Sequence, residues 1–376
     1  MTPVSVSLAA EQLRRRVPGG IGTYTRGLLK GLGELPAAER PALRLVVSRP
    51  SARPDPLESL GYPIESSWLP GPLMTRAWDM GLVRAGRGSG VLHSVSLAAP
   101  VPSSGTSLVL TVHDVAWRSV PEAFPPRGRR WHEAALRRAA RRAAMFVVPS
   151  ETTAEALLAA GVGVTEAEVV IVPEGADHLG EPDGVAAHAL LDRLGVKGPY
   201  LLTVSTLEPR KNLDRLVQAY ALTRPRLPEP WPLVVVGPSG WGSSSVSTPG
   251  TRPADGVVFA GAVDGGVLAA IYGGARCCAY VPIVEGFGLP VVEAMAQGTP
   301  VVSSPVPSSA GASLEVDPAS VSSIAEGLLA AACDESTRAD LVARGRERAG
   351  SLRWVDAARA HVALWQRAVG DQGGGR

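Results

Sequence analysis

The stretch VEGFGLPVVEAMAQGTPVV, Val284 to Val302, decides how the rest of the chain is read. Glu285 falls in a glycine-rich loop, and Glu293 lies eight positions further on. Pro290 fits the first position of a helix, which puts Glu293 near the end of the first helical turn. Gly286 and Gly288 let the loop bring backbone N–H groups against a ligand, and the helix N-terminus directs positive potential at any phosphate between the two acids. One carboxylate can then hold ribose hydroxyls while the other approaches a sugar. The competing reading, a plain loop followed by a helix with an acidic first turn, does not account for so particular a string.

Working outward, the string sits between two short apolar runs, Cys277–Val281 and Pro300–Ser303, which read as strands. The same alternation extends through both halves of the chain. Strands are predicted at Val4–Leu8, Leu43–Ser48, Val91–Ser94, Leu108–Val112, Met145–Val148 and Val169–Val172, and again at Tyr200–Ser205, Leu233–Val236 and Val257–Phe259. Helices are predicted at Thr23–Glu34, Arg129–Ala144, Thr152–Ala160, Leu213–Tyr220, Val267–Tyr272 and Pro290–Gln297, with three more closing the chain at Val321–Ala332, Ser336–Arg348 and Trp354–Val369. This pattern implies α/β architecture: two Rossmann-like, doubly wound parallel-sheet domains facing a central cleft, with ligands at the carboxyl ends of the strands. The expected division is an N-terminal Rossmann-like domain at 1–176, a linker at 177–198, a C-terminal Rossmann-like domain at 199–353, and a C-terminal helix at 354–376 packing back toward the first domain. The Gly/Ser/Pro segment Gly237 to Pro253 is expected to be a flexible loop.

Three further constellations carry chemistry. PGGIGTY, Pro18 to Tyr24, reads either as a phosphate-approaching glycine loop or as a tight strand-to-helix turn; Thr25 stands where the dinucleotide pattern needs Gly. In TVHDVAW, His113 falls just past a strand end, where it is either structural or a donor to a sugar hydroxyl or a developing charge. In STLEPRKNLDRL, Arg210 and Lys211 open a helix after a strand, a placement that suits a diphosphate leaving group. Only Lys30, Lys197 and Lys211 are lysines among the 37 basic residues, which singles out Lys211 against the alternative of an exposed basic turn.

Composition narrows the classes. With 376 residues, 45% hydrophobic and 19% charged, the chain is globular and long enough for two domains. A net charge of +2 argues against nucleic-acid binding. The 42 Gly and 33 Pro are scattered without period and signal many tight loops. Cys277, Cys278 and Cys333 have no metal or redox spacing and are too few for a disulfide framework. The opening residues put their basic charges after the apolar stretch, unlike a signal peptide, and no 18-residue apolar run occurs; a cytoplasmic location is the expectation.

On these residues the sequence resembles the retaining GT-B glycosyltransferases of the family-four, or glycosyl transferases group 1, type, and its mannosyltransferase members in particular. The match rests on Glu285 and Glu293 in the EGFGLP–EAMA–G–PVV setting, together with GGIGTY, the His-Asp pair, VPSETTAEALLAAGV, VIVPEGAD, TLEPRKN, FAGAVDGGVLAAIYGGA and the final Trp-Val-Asp-Ala-Ala helix. The resemblance implies that Glu293 binds the nucleotide ribose and that Glu285, with the backbone of Gly286, Phe287 and Gly288, contacts the donor sugar. It further implies that Leu289 offers its N–H to phosphate, Lys211 neutralises the diphosphate, Gly20 contacts it from the other domain, His113 touches the sugar near the reacting centre, and Val263 lies where the base is held. The family often has Arg where this chain has Thr206, and Arg210 is the substitute; Ile283–Val284 replace the usual Pro-Ser; and SSPVPSSAG departs from the usual segment after PVV.

The function so implied is transfer of a hexose, with mannose first in line, from a nucleotide-diphosphate sugar to a glycan or lipid-linked acceptor, with retention and without a metal or resident cofactor. GDP-mannose is the first expectation for the donor and UDP-sugars the second. Two alternatives are a catalytically silent GT-B nucleotide-binding protein and a Rossmann oxidoreductase, the latter disfavoured by the imperfect glycine pattern. Arg130, Arg137, Arg138, Arg141 and Arg142 are expected on one helical face, either as a solvated surface or as a peripheral contact with anionic membrane.

Overall fold

SLVLT at Ser107–Thr111, MFVV at Met145–Val148 and CCAY at Cys277–Tyr280 bury every residue, as strands covered on both faces must. The computed structural model describes residues 3–52, 54–240 and 255–370. The chain forms two units, one of Met1–Val115, Pro126–His178 and Arg353–Arg376, the other of Ala116–Pro125 and Leu179–Leu352. Residues 116–125, which the sequence reading left in the first domain, group with the second unit.

The strands of the first unit are β1 (Ser5–Ala9), β2 (Ala42–Val47), β3 (Ile64–Ser66), β4 (Arg84–Ala85), β5 (Val91–Ser94), β6 (Val101–Pro102), β7 (Ser107–Thr111), β8 (Met145–Val148) and β9 (Val169–Ile171). Those of the second are β10 (Leu201–Val204), β11 (Leu233–Val236), β12 (Val257–Gly261), β13 (Cys277–Tyr280), β14 (Val301–Ser303) and β15 (Leu314–Glu315). The helices are α1 (Gly19–Glu34), α2 (Gly71–Asp79), α3 (Ala116–Ser119), α4 (Pro126–Ala140), α5 (Glu151–Leu158), α6 (Gly184–Arg193), α7 (Leu213–Thr223), α8 (Gly265–Gly274), α9 (Leu289–Ala296), α10 (Val321–Cys333), α11 (Glu335–Gly350) and α12 (Trp354–Gly370).

In the first unit seven strands run in the order β3-β2-β1-β5-β7-β8-β9, with β4 and β6 as a separate two-residue ladder. In the second the order is β12-β11-β10-β13-β14-β15. All of these pairings are parallel. Chain direction across each sheet reverses at one strand: β1 has β2 on one side and β5 on the other, and β10 has β11 and β13. At such a switch point the connections leave in opposite directions and open a crevice at the strand carboxyl ends.

Helix α12 belongs to the first unit and lies along α1. The contact is close because α1 carries glycines there: a Cβ on Gly27 would come within 2.1 Å of the Trp354 ring, and one on Gly31 within 2.1 Å of the Trp354 carbonyl oxygen. Trp354 is fully buried. Nothing in the periodicity of α1 alone announces which partner those glycines admit.

Several expected elements are corrected. Helix α1 starts at Gly19 rather than Thr23, because Pro18 takes helical φ −66° and ψ −29° and its carbonyl accepts from Gly22 N at 3.1 Å. The glycine string therefore opens the helix, with Gly19 in the left-handed region at φ +60° and Gly20 and Gly22 in the first turn. Helix α2 was not anticipated, although Met74, Ala77 and Trp78 recur at helical spacing and are buried. Within the expected linker, α6 is capped by Asp183, whose side chain accepts from Ala186 N at 2.9 Å. Of the expected loop Gly237 to Pro253, residues 241–253 lie outside the described residues.

Helix α4 runs from Pro126 to Ala140, not from Arg129 to Ala144. Arg142 N and Ala143 N both donate to the Ala139 carbonyl, at 2.9 and 2.8 Å, and the chain turns there to enter β8. Arg141 and Arg142 thus sit in a turn, Arg138 is bound to Asp79 at 2.6 Å, and Arg137 pairs with Glu133 at 3.0 Å. Together with Arg130 they do not make the single helical face that the spacing suggested. Among the described residues no helix is long and apolar enough to cross a membrane.

Candidate functional site

The switch point of the second sheet brings together the segments that follow two hydrogen-bonded neighbours, β10 and β13. After β10 the chain makes one tight turn, Pro209–Lys211, which ends at Asn212 in the left-handed region with φ +61°. Asn tolerates that backbone. Its buried amide donates to the Val281 carbonyl at 3.0 Å and the Pro318 carbonyl at 2.8 Å. Ile283 N donates to the Arg210 carbonyl at 2.9 Å. These bonds hold the Arg210–Lys211 turn against the segment that carries Glu285.

The side chains converge on one carboxylate oxygen. Oε2 of Glu285 accepts from Lys211 Nζ, from the Tyr280 hydroxyl at 2.7 Å and from an Arg210 terminal nitrogen at 3.2 Å. Lys211 Nζ also donates to the Tyr280 oxygen at 2.7 Å. Arg210 Nε pairs with Glu208 at 2.6 Å, and the Glu208 side chain is 2% exposed. Burial pushes the Glu285 carboxyl upward, but the charges of Lys211 and Arg210, with the hydrogen bonds of Lys211 and Tyr280, outweigh it and hold the group at about 2. Burial, and next the charge of Arg210, lower the Lys211 ammonium below its ordinary value against the pull of Glu285 and Glu208. The Tyr280 hydroxyl is driven well up, by burial first and by Glu285 second.

The second acid, Glu293, lies eight residues beyond Glu285. It is buried on α9 and accepts from the Tyr272 hydroxyl at 2.8 Å. Between the two acids, Gly288 caps α9 at φ +101°, and its carbonyl and that of Phe287 accept from Ser308 Oγ and Ser308 N at 2.8 and 3.0 Å. A Cβ on Gly288 would meet Ser308 Oγ at 2.9 Å, so the position is limited both by its backbone and by its neighbour. Leu289 opens α9, with Pro290 second rather than first. Gly286 connects this turn to Glu285. Thr206 follows β10 and Val263 lies in the loop between β12 and α8; both are half-buried.

In the first unit, Gly20 is exposed in the opening turn of α1, where a side chain would meet nothing. Thr25 Oγ1 donates to the Ile21 carbonyl at 2.7 Å, as a helical residue does, so PGGIGTY is not a dinucleotide loop. His113 has both ring nitrogens engaged, Nδ1 with Glu174 at 3.3 Å and Nε2 with the Val95 carbonyl at 3.0 Å. Burial pushes its protonated form down, yet the hydrogen bond and charge of Glu174 carry it above the ordinary value. Each ring nitrogen thus faces an acceptor, and the direct donation expected from His113 is already taken up within the unit.

Reading the sequence missed four members of these clusters. Tyr280 is masked by its place at the end of a buried strand, Glu208 and Glu174 by their lone positions beside Pro, and Asn212 by its role through the backbone. The one available signal was Asn directly before a helix, where αL residues and caps belong.

Both halves of the chain match glycosyltransferase families. Residues 18–178 match the family described as Glycosyltransferase Family 4, and residues 193–348 match Glycosyl transferases group 1. The structure resembles that of Anabaena HepE in complex with UDP and glucose, at TM-score 0.71 and 17% identity over 96% of this chain and 99% of that one. It also resembles sucrose-phosphate synthase from Thermosynechococcus elongatus, at TM-score 0.71 and 22% identity over 98% and 100%. The fold is the GT-B class, with two doubly wound parallel units. Within it, the chain belongs by residues 18–178 to glycosyltransferase family 4 and by residues 193–348 to glycosyl transferases group 1. In sequence, 162 residues are 37% identical to the O-antigen chain mannosyltransferase B of Escherichia coli, a match over 41% of this chain and 42% of that relative's length.

Proposed function

We propose that the protein transfers a mannosyl residue from a nucleotide-diphosphate sugar to a glycan acceptor, with retention of anomeric configuration and without a metal. The observation that carries this reading is the placement of Lys211, Arg210 and Glu285 at the switch point of the second sheet. As the glycosidic bond to the diphosphate breaks, negative charge grows on the leaving oxygen. Lys211 and Arg210, desolvated and held by Asn212, are the groups that meet it, supported by the N-terminal end of α9 at Leu289. Fixed cations supply the charge that a metal supplies elsewhere.

In this reading Glu293 takes the ribose, Glu285 the donor sugar with the Gly286–Gly288 backbone, and Val263 the base side, while Thr206 lines the nucleotide-sugar site with Arg210 in place of the usual Arg. Mannose as the sugar is supported by the match to a mannosyltransferase, and GDP-mannose is the first donor to try. A uridine donor is the second, since HepE is described with UDP and glucose.

A thermal-shift screen of GDP-, UDP-, dTDP- and ADP-sugars tests the reading. A donor at 100 times its dissociation constant stabilises by about 2.7 kcal/mol. Incubation of the stabilising donor with glycan acceptors, followed by NMR of the new anomeric proton, then reads transfer and configuration. Absence of a shift with every nucleotide sugar overturns the proposal.

A further inference from the structure

We propose that Tyr280 is a positioning residue that seats Glu285 on the cations of the donor site, making Glu285 an internal competitor that sets a preference for diphosphates over single phosphates. The inference rests on the donor-site reading above. Its basis is that one oxygen, Glu285 Oε2, collects Lys211, Tyr280 and Arg210, while Arg210 is tied separately to Glu208. The four charged groups balance, two positive and two negative. An anion that reaches Lys211 and Arg210 competes with that oxygen for both cations.

The exchange is selective by charge and reach. A single phosphate replaces one anion with another on much the same cations, so little electrostatic energy is gained. A diphosphate brings two phosphoryl groups and engages Lys211 and Arg210 together, which compensates for releasing the carboxylate.

Tyr280 decides how firmly the carboxylate is held. Lys211 Nζ has only hydrogens to give, so the phenol oxygen accepts from it, and the phenol hydrogen is left to point at Glu285. Burial keeps that hydrogen in place, since the hydroxyl is driven far above its ordinary pKa. The hydroxyl thus fixes the carboxylate over Lys211 while adding no charge of its own.

The test is calorimetric titration of the full chain with inorganic pyrophosphate and with orthophosphate. The unmodified protein is expected to bind pyrophosphate at least tenfold more tightly than orthophosphate. Tyr280→Phe keeps every charge but frees the carboxylate, so pyrophosphate binding should tighten threefold or more and the preference over orthophosphate should narrow. Glu285→Asp, which also keeps the charge but shortens the reach, should act in the same direction and serves if Tyr280→Phe melts early. Damage to the fold weakens binding, so a gain is not an effect that a purely structural tyrosine produces. Unchanged or weaker pyrophosphate binding in both variants overturns the proposal. Pyrophosphate binding that is absent, or that Lys211→Ala leaves unaltered, overturns the donor-site reading itself.

Discussion

The hydroxyl of Tyr24 on α1 donates to Nε2 of His361 on α12 at 2.8 Å. The direction follows from the other ring nitrogen: His361 Nδ1 faces the Ala357 carbonyl at 2.7 Å, which only accepts, so Nδ1 carries the hydrogen and Nε2 does not. Tyr24 also meets Thr111, Thr111 meets His93, and the Trp365 N–H reaches His93 Nδ1 at 3.1 Å. These five side chains are buried, and the network joins α12 to α1, β5 and β7.

Acid should loosen this junction. Burial holds His361 down at about 4, and lowers His93 well below its ordinary value. Both are therefore neutral in the fold, whereas the unfolded chain takes up protons near pH 6.5. Their contribution is complete above that pH and lost as pH falls toward the folded value. For His361 alone, the drop from 6.5 to about 4 corresponds to about 3 kcal/mol. Thermal melts from pH 7 to pH 4 should show a falling Tm, and His361→Gln should melt lower at pH 7 with a shallower slope. A slope in the variant equal to that of the parent excludes His361 as a source.

Glycines on α1 should respond oppositely to the same substitution. Gly31→Ala puts a methyl against the Trp354 backbone and should destabilise by about 2–3 kcal/mol, as overpacking against backbone does. Gly33, two residues on, is exposed, with only the Tyr62 hydroxyl 3.8 Å from the position of an added Cβ. Gly33→Ala should stabilise by about 0.5–1 kcal/mol. Urea denaturation of both variants checks the contrast; equal effects would show that α12 adjusts freely over α1.

Removal of the buried ammonium should cost turnover. Lys211→Ala is expected to lower kcat about 100-fold or more, since a desolvated contact to developing charge is lost. Arg210→Ala should cost less, because Arg210 divides its hydrogen bonds between Glu208 and Glu285. Near-normal turnover in Lys211→Ala would make Arg210 the operative cation.

Glu293→Gln tests the ribose assignment. The amide keeps an oxygen to accept from Tyr272, so the fold should persist, while nucleotide affinity should fall about tenfold with one charge-assisted hydrogen bond weakened. Calorimetry showing unchanged donor affinity sinks the assignment.

Strand–helix alternation and the string around Glu285 were enough to read the α/β class and to bring Lys211, Arg210 and Glu285 into one argument, because topology places strand carboxyl ends together. What escaped was decided by tertiary contact. Tyr280 looks like any buried strand residue until its hydroxyl is seen between Lys211 and Glu285. Helix α1 absorbed glycines that read equally well as a loop, since Pro18 already takes helical angles and starts the helix ahead of them. The Arg run on α4 misled because periodicity continued past Ala140 while the backbone turned toward β8. His113 was placed correctly at its strand end, but Glu174, 61 residues away, is what engages it.

The order in which the two units are completed on the ribosome follows from where α12 sits in the chain. The last strand of the second unit, β15, and the helices α10 and α11 are made before Trp354, His361 and Trp365 emerge. The first unit, although its first strand precedes the second unit, lacks the helix that covers α1 and closes the Tyr24–His361 bond until α10 and α11 have been made. The usual N-terminal-first sequence of co-translational folding is thereby inverted, and the nascent first sheet waits with an apolar flank that a chaperone has reason to hold.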